Sequence, residues 1–168
     1  MSASKLKKIQ GKELNNHFTN CKIPKTITDG RLLAVNDLYL LVAWNDNPGV
    51  INMVNSNEPF NMALKTNTFS IENSNILDME FSPFDSNIFY FSNENKNIYL
   101  TQITNQNEIL SDCYNNHRNK VYFIDSNPVA SNVICSSTSF GEIHIWDSFK
   151  FKKLFEFTAS NNINAIHW

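Results

Sequence analysis

One pattern of residues recurs in this chain at a spacing of 45. Ile76–Pro83 superposes on Val121–Pro128, Asn87–Ser92 on Asn132–Ser137, and Asn97–Thr101 on Glu142–Trp146 in the same register. A further copy opens at Ile163–Trp168. The repeated unit is made of short runs rich in Ile, Val, Phe and Tyr, broken by Asn, Ser, Asp, Gly or Pro. Such runs read as strands, and helical periodicity is hard to find. A period near 45 built from short strands is the spacing of a β-propeller blade. The expectation is therefore an all-β chain whose blades each pack on their neighbours.

The blade boundaries follow from the same runs. We place a leader at residues 1–18 and a partial propeller at 19–168. Its blades lie at about 19–64, 75–110 and 120–157, with the start of a fourth at 161–168. The first blade runs through Leu32–Val35, Tyr39–Ala43 and Val50–Val54, with turn residues at Asn45–Gly49 and a weak outer strand near Asn61–Leu64. In the third blade Gly141 stands at a hairpin tip, and Lys153–Phe157 alternates as an outer strand with one packed face and one wet face. Closed propellers need about four to eight blades. Three blades and a part would leave packing faces bare, so the chain reads as part of a longer protein.

Composition narrows the function classes. A net charge of -2 gives no reason to expect a nucleic-acid partner. The run Leu38–Trp44 is too short to span a bilayer, and the polar, basic start is no secretory signal. Cys21, Cys113 and Cys135 are an odd, scattered set that suggests a reducing, cytoplasmic setting. Cys113 and His117 have no second ligand pair at metal-site spacing, so neither metal nor cofactor is expected. His17, His117, His144 and His167 have no evident catalytic partner, and no phosphate loop, nucleophile elbow or paired-carboxylate motif is present. A non-enzymatic protein follows. His144, between Ile143 and Ile145, faces away from both and either packs or meets water. The 27 asparagines read as a compositional habit of the source genome.

The dipeptides Asn116-His117, before an inner strand, and Trp146-Asp147, ending a third strand, stand where WD repeats carry Gly-His and Trp-Asp. The chain resembles that family with degenerate motifs. The second blade has Ile71-Glu72 and Thr101-Gln102 at these places, and the third has Phe140 where the family has its hairpin aspartate. The resemblance implies a structural network drawn from His117, Ser137, Trp146 and Asp147.

Gly11-Lys12, then Thr19–Lys25, then Leu32–Asn36 with its Ala-Val-Asn, then Ile76–Ser86 and the run ending Ile143–Trp146 follow the order of coronin's N-terminal part. The chain resembles that family from about residue 9 onward, with a shorter stretch between Gly11 and Leu33 and a different first hairpin. The resemblance implies a propeller of about seven blades that binds filamentous actin in the cytoplasm, associated with the actin cytoskeleton. Contacts with actin-regulating proteins would go through C-terminal regions outside these residues. It also places a basic actin-contacting residue at Lys22, where the family more often has arginine, with Lys25 and Arg31 adding to a basic patch suited to an acidic filament. Lys5, Lys7, Lys8 and Lys12 read as a solvated tail. The alternative is a WD-repeat scaffold or adaptor of another kind.

Overall fold

The computed structural model describes residues 30–43, 47–56, 67–104, 108–114, 117–160 and 162–168. All regular structure among them is strand. The first sheet contains β1 (Leu33–Val35), β2 (Tyr39–Ala43), β3 (Val50–Asn55) and β4 (Asn67–Ser70). The second contains β5 (Ile76–Phe81), β6 (Ile88–Asn93), β7 (Ile98–Ile103) and β8 (Ile109–Tyr114). The third contains β9 (Val121–Ser126), β10 (Val133–Thr138), β11 (Glu142–Asp147) and β12 (Lys152–Thr158). Each sheet is an antiparallel meander in chain order. The expected outer strand near Asn61–Leu64 lies outside the described residues, and the strand paired to β3 is β4.

The sheets stack face to face, with β1 against β5 and β5 against β9. Period-two alternation decides which side chains meet. On β6, Phe89 and Phe91 point to the first sheet and join Leu41, Ala43, Ile51 and Met53. Tyr90, between them, points the other way into a cluster with Val121, Ile124, Ile134 and Trp146. The second sheet is thus apolar on both faces, which explains the near-continuous run Ile88–Phe91. Phe89 crosses the first interface by tilting against Phe69 at 5.7 Å, and within the second sheet Phe91 stacks on its ladder partner Tyr99 at 4.6 Å.

β12 departs from the expected alternation. Leu154, Phe155 and Phe157 are all exposed, Phe155 by 60%, because β12 pairs only with β11 and no described sheet lies against it. The asparagines also do more than a compositional habit requires. Asn36 accepts N–H groups of Leu38 and Tyr39 at 2.9 and 2.7 Å, and Asn127 those of Val129 and Ala130 at 2.9 and 2.7 Å. These are side chains that close turns in place of the backbone. Gly141, at φ 91°, occupies the β10–β11 tip in the left-handed region, where a Cβ is penalised.

Candidate functional site

The innermost strands carry a chain of charged clasps, each reaching from one sheet to the next. Gly30 begins it. A Cβ there would lie 1.8 Å from the Leu77 carbonyl oxygen, so only glycine lets the backbone lie against β5. Next to it, Arg31 donates its backbone N–H and its Nε–H to Asp78 Oδ1 at 2.9 and 3.0 Å. Its Nη2 reaches Asp78 Oδ2 at 3.1 Å, Glu80 Oε2 at 3.4 Å and the carbonyl of Ile124. The carboxylates continue the link into the third sheet. Ile124 donates its N–H to Asp78 at 2.7 Å, and Ser126 donates its own to Glu80 at 3.0 Å. Asp125, the repeat equivalent of Glu80, in turn accepts the N–H of Trp168 at 3.1 Å and lies 3.1 Å from His167 Nδ1. An acidic residue on one inner strand therefore holds the backbone of the next copy along.

This environment sets the protonation of Glu80. Burial lifts its carboxyl to about 7, Asp125 and Asp78 add to the rise, and Arg31 and the Ser126 N–H oppose it. The folded value exceeds the ordinary 4.5. The stability that Glu80 contributes is then fully present below about 4.5 and is lost as pH rises through about 7. Glu80→Gln removes that slope. Its stability relative to the wild type should improve by about 1 kcal/mol between pH 5 and pH 8. Thermal melts at the two values check this, and an unchanged difference would remove Glu80 as the titrating group.

A second constellation is buried within the third sheet. Trp146 on β11 donates its Nε1–H to Ser136 Oγ at 2.7 Å, and the same hydroxyl lies 2.7 Å from His117 Nε2. His144 stacks on His117 with centroids 3.9 Å apart and meets the edge of Trp146. Burial pushes His117 down to about 4, helped by Lys153 and opposed by Glu156. His144 is also pushed to about 4, first by burial and then by His117 and Lys153, against Glu142 and Glu156. Both rings are neutral at pH 7. Glu142 stands beside them at 3.5 Å from His117 Nδ1 and 3.3 Å from His144 Nε2, and accepts the Arg118 N–H at 3.2 Å.

The network therefore uses Ser136 where the sequence pointed to Ser137. Ser137 is fully buried and its Oγ has no hydrogen-bond partner. Ser136 lies opposite His144 across the β10–β11 ladder, on the same face as that ring, and alternation turns Ser137 away. Asp147 ends β11 and closes the following turn by accepting the Lys150 N–H at 3.0 Å. Phe140 is exposed and brings no carboxylate, and Glu142 takes that place. Glu142 was missed because it sits two positions beyond the one the motif specifies. His144 resolves to the packed alternative, with no exposure.

Lys22 and Lys25 lie outside the described residues. Arg31 is described, and its guanidinium is bound to Asp78 and Glu80 while the side chain stays 46% exposed.

No family model matches the chain. The WD40 domain of Toxoplasma gondii coronin, seen in a crystal structure, superposes with a TM-score of 0.81 over 90% of this chain and 40% of that one, at 17% identity. That likeness gives the fold, a WD-repeat propeller architecture of which three sheets are described here. Coronin-like protein crn1 of Schizosaccharomyces pombe is 25% identical over 159 residues, which cover 88% of this chain. The chain is coronin-like. Its residues span 26% of that relative's length. In this coronin-like chain the third sheet carries the hydrogen-bonded group His117–Ser136–Trp146, and the inter-sheet clasps run through Arg31, Asp78, Glu80 and Asp125.

Proposed function

We propose that the protein binds filamentous actin and helps organise the actin cytoskeleton in the cytoplasm, without catalysis of its own. The observation that carries this reading is the similarity to a coronin-like protein along most of the chain. The charge pattern supports it. Lys22, Lys25 and Arg31 bring cations to the segment that leads into β1, and an acidic filament favours such a surface. Arg31 shares its charge with Asp78 and Glu80, so its contribution to long-range attraction is smaller than that of an unpaired lysine. Its larger role is to fix the chain entering β1 against β5. Contacts with actin-regulating proteins belong to regions beyond these residues. No nucleic acid is needed in this reading, and no described helix is long and apolar enough to cross a membrane.

The test is filament co-sedimentation with the full-length protein. Lys22→Glu should weaken binding about fivefold, the scale of one reversed charge at an interface rim, with an unchanged melting curve. Unchanged binding with unchanged melting would take Lys22 out of the contact. Wild-type binding no better than that of an unrelated propeller would sink the actin reading itself.

A further inference from the structure

We propose that the β11–β12 hairpin, through Phe149, Lys150 and Lys152, is a second contact for an actin filament, separate from the segment before β1 and resting on the actin reading above. Phe149 is 75% exposed, and the Lys150 side chain 72%. Lys152, at the start of β12, is exposed as well. An aromatic ring beside cations on a protruding turn has the composition of an interface anchor, because it joins a large apolar area to charge.

The turn is held rigidly, which separates it from an ordinary surface loop. Ser148 is fully buried. Its N–H reaches the Asn132 carbonyl at 2.7 Å, its own carbonyl accepts the Tyr114 hydroxyl at 2.6 Å, and its Oγ lies 3.1 Å from the Tyr90 hydroxyl. Asp147 accepts the Lys150 N–H across the turn at 3.0 Å. Phe151 takes a φ of 52°, in the left-handed region that a bulky residue rarely enters, and its ring stacks on Tyr114 with centroids 4.9 Å apart. Backbone strain of this kind persists where the surroundings over-determine it, and it gathers at functional positions. The same bonds that bring Phe151 onto the second sheet leave Phe149, two residues earlier, pointing into solvent.

Charge selects the partner. From Asp147 to Glu156 three lysines stand against two carboxylates, a net charge of +1 in a chain whose total is -2. Lys153 is held by Glu156 at 2.6 Å, whereas Lys150 Nζ lies 3.5 Å from Asp147 Oδ2 and stays in water. An acidic surface attracts such exposed lysines within a Debye length. The same edge of the stack carries Phe84 and Val129, 50% and 86% exposed, in the β5–β6 and β9–β10 connections. These connections share an edge with the β11–β12 turn because strands of an antiparallel meander alternate in direction. In the connections of the opposite edge, Phe140 is the one large apolar side chain exposed among the described residues. Asp37 and Asp85, also on the first edge, accept from Ser86 Oγ and the Asn87 N–H at 2.9 and 2.8 Å. The hairpin is therefore the cationic end of an apolar edge, and it fits an acidic protein surface that offers an apolar pocket to Phe149.

The experiment is filament co-sedimentation of the full-length protein. Phe149→Ala should weaken binding about tenfold and Lys150→Glu about fivefold, with melting curves equal to that of the wild type. Lys150→Glu should also reduce the salt dependence of binding, which a structural fault in the turn would leave unchanged. Lys150→Arg should bind as the wild type does. Should Lys150→Glu melt early, Lys150→Gln replaces it, since it removes the charge without setting a second carboxylate beside Asp147, and it should bind about threefold more weakly. Unchanged binding by both Phe149→Ala and the Lys150 variant, with the wild type sedimenting, would overturn this contact and leave the actin reading standing. Wild-type protein that fails to sediment with filaments overturns that reading and the contact together.

Discussion

Trp146→Ala should lower the stability of the folded protein by about 3–5 kcal/mol, the range for emptying a buried aromatic site. Trp146 is 1% exposed and lies at the centre of the second interface, with Tyr90, Ile98, Tyr114, Val121, Ile124 and Ile134 around it. Its ring approaches Tyr114 and His144 at 5.3 Å each. Removing it opens a cavity between two sheets whose backbones are fixed by their own ladders, so little collapse can follow. It also leaves Ser136 without its indole donor, and the loss spreads to His117 through the shared hydroxyl. Trp146→Phe separates the two effects. It fills most of the volume and loses the hydrogen bond, and should cost about 1–2 kcal/mol. Chemical or thermal unfolding of the three proteins is the check. Equal losses for alanine and phenylalanine would place the effect in the hydrogen bond and not in the packing.

Asp78→Ala is expected to cost about 3 kcal/mol, or a melting temperature lower by about 10 °C in a protein of this size. Asp78 is 1% exposed and accepts from three sources at once, which are the Arg31 backbone, the Arg31 guanidinium and the Ile124 N–H. Alanine leaves the Ile124 amide buried without that acceptor and the guanidinium with the Ile124 carbonyl and the more distant Glu80 carboxylate. Asp78→Asn keeps an acceptor of the same shape and loses the charge, so its cost should be about half. The readout is the unfolding curve. A change below about 0.5 kcal/mol for alanine would mean that apolar stacking alone holds the sheets together.

Much of the fold was legible because strand patterning is a local property. Tyr39–Ala43 and Glu142–Trp146 are short, β-branched or aromatic runs bounded by turn residues, and the structure has β2 and β11 there. The outer strands were less legible. Lys153–Phe157 alternates in sequence, yet β12 is exposed on both faces, since burial depends on which sheet arrives to cover it. The site residues follow the same division. Trp146 and His117 could be found from their place in a repeat. Ser136 over Ser137 depends on which way a strand faces, a one-residue question that motif alignment leaves open. Glu142 and His144 carried no motif at all. A strand reading would have brought them forward, because they are two apart on β11 and so share a face.

The 45-residue recurrence was enough by itself to establish a stack of similar four-stranded units, since the hydrophobic period and turn residues repeat with it. The resemblance to coronins also came from order and spacing along the chain. What only the tertiary structure decided was which repeated positions act together. Asp78, Glu80 and Asp125 carry no motif in the sequence, and they act as clasps because the fold brings backbone N–H groups of the next repeat to hydrogen-bonding distance. His117 lies well before Glu142 and His144 in the sequence, and the fold of the third sheet brings the three side chains together. Spacing along a chain fixes local conformation, whereas the geometry of charge and lone pairs depends on contacts between elements.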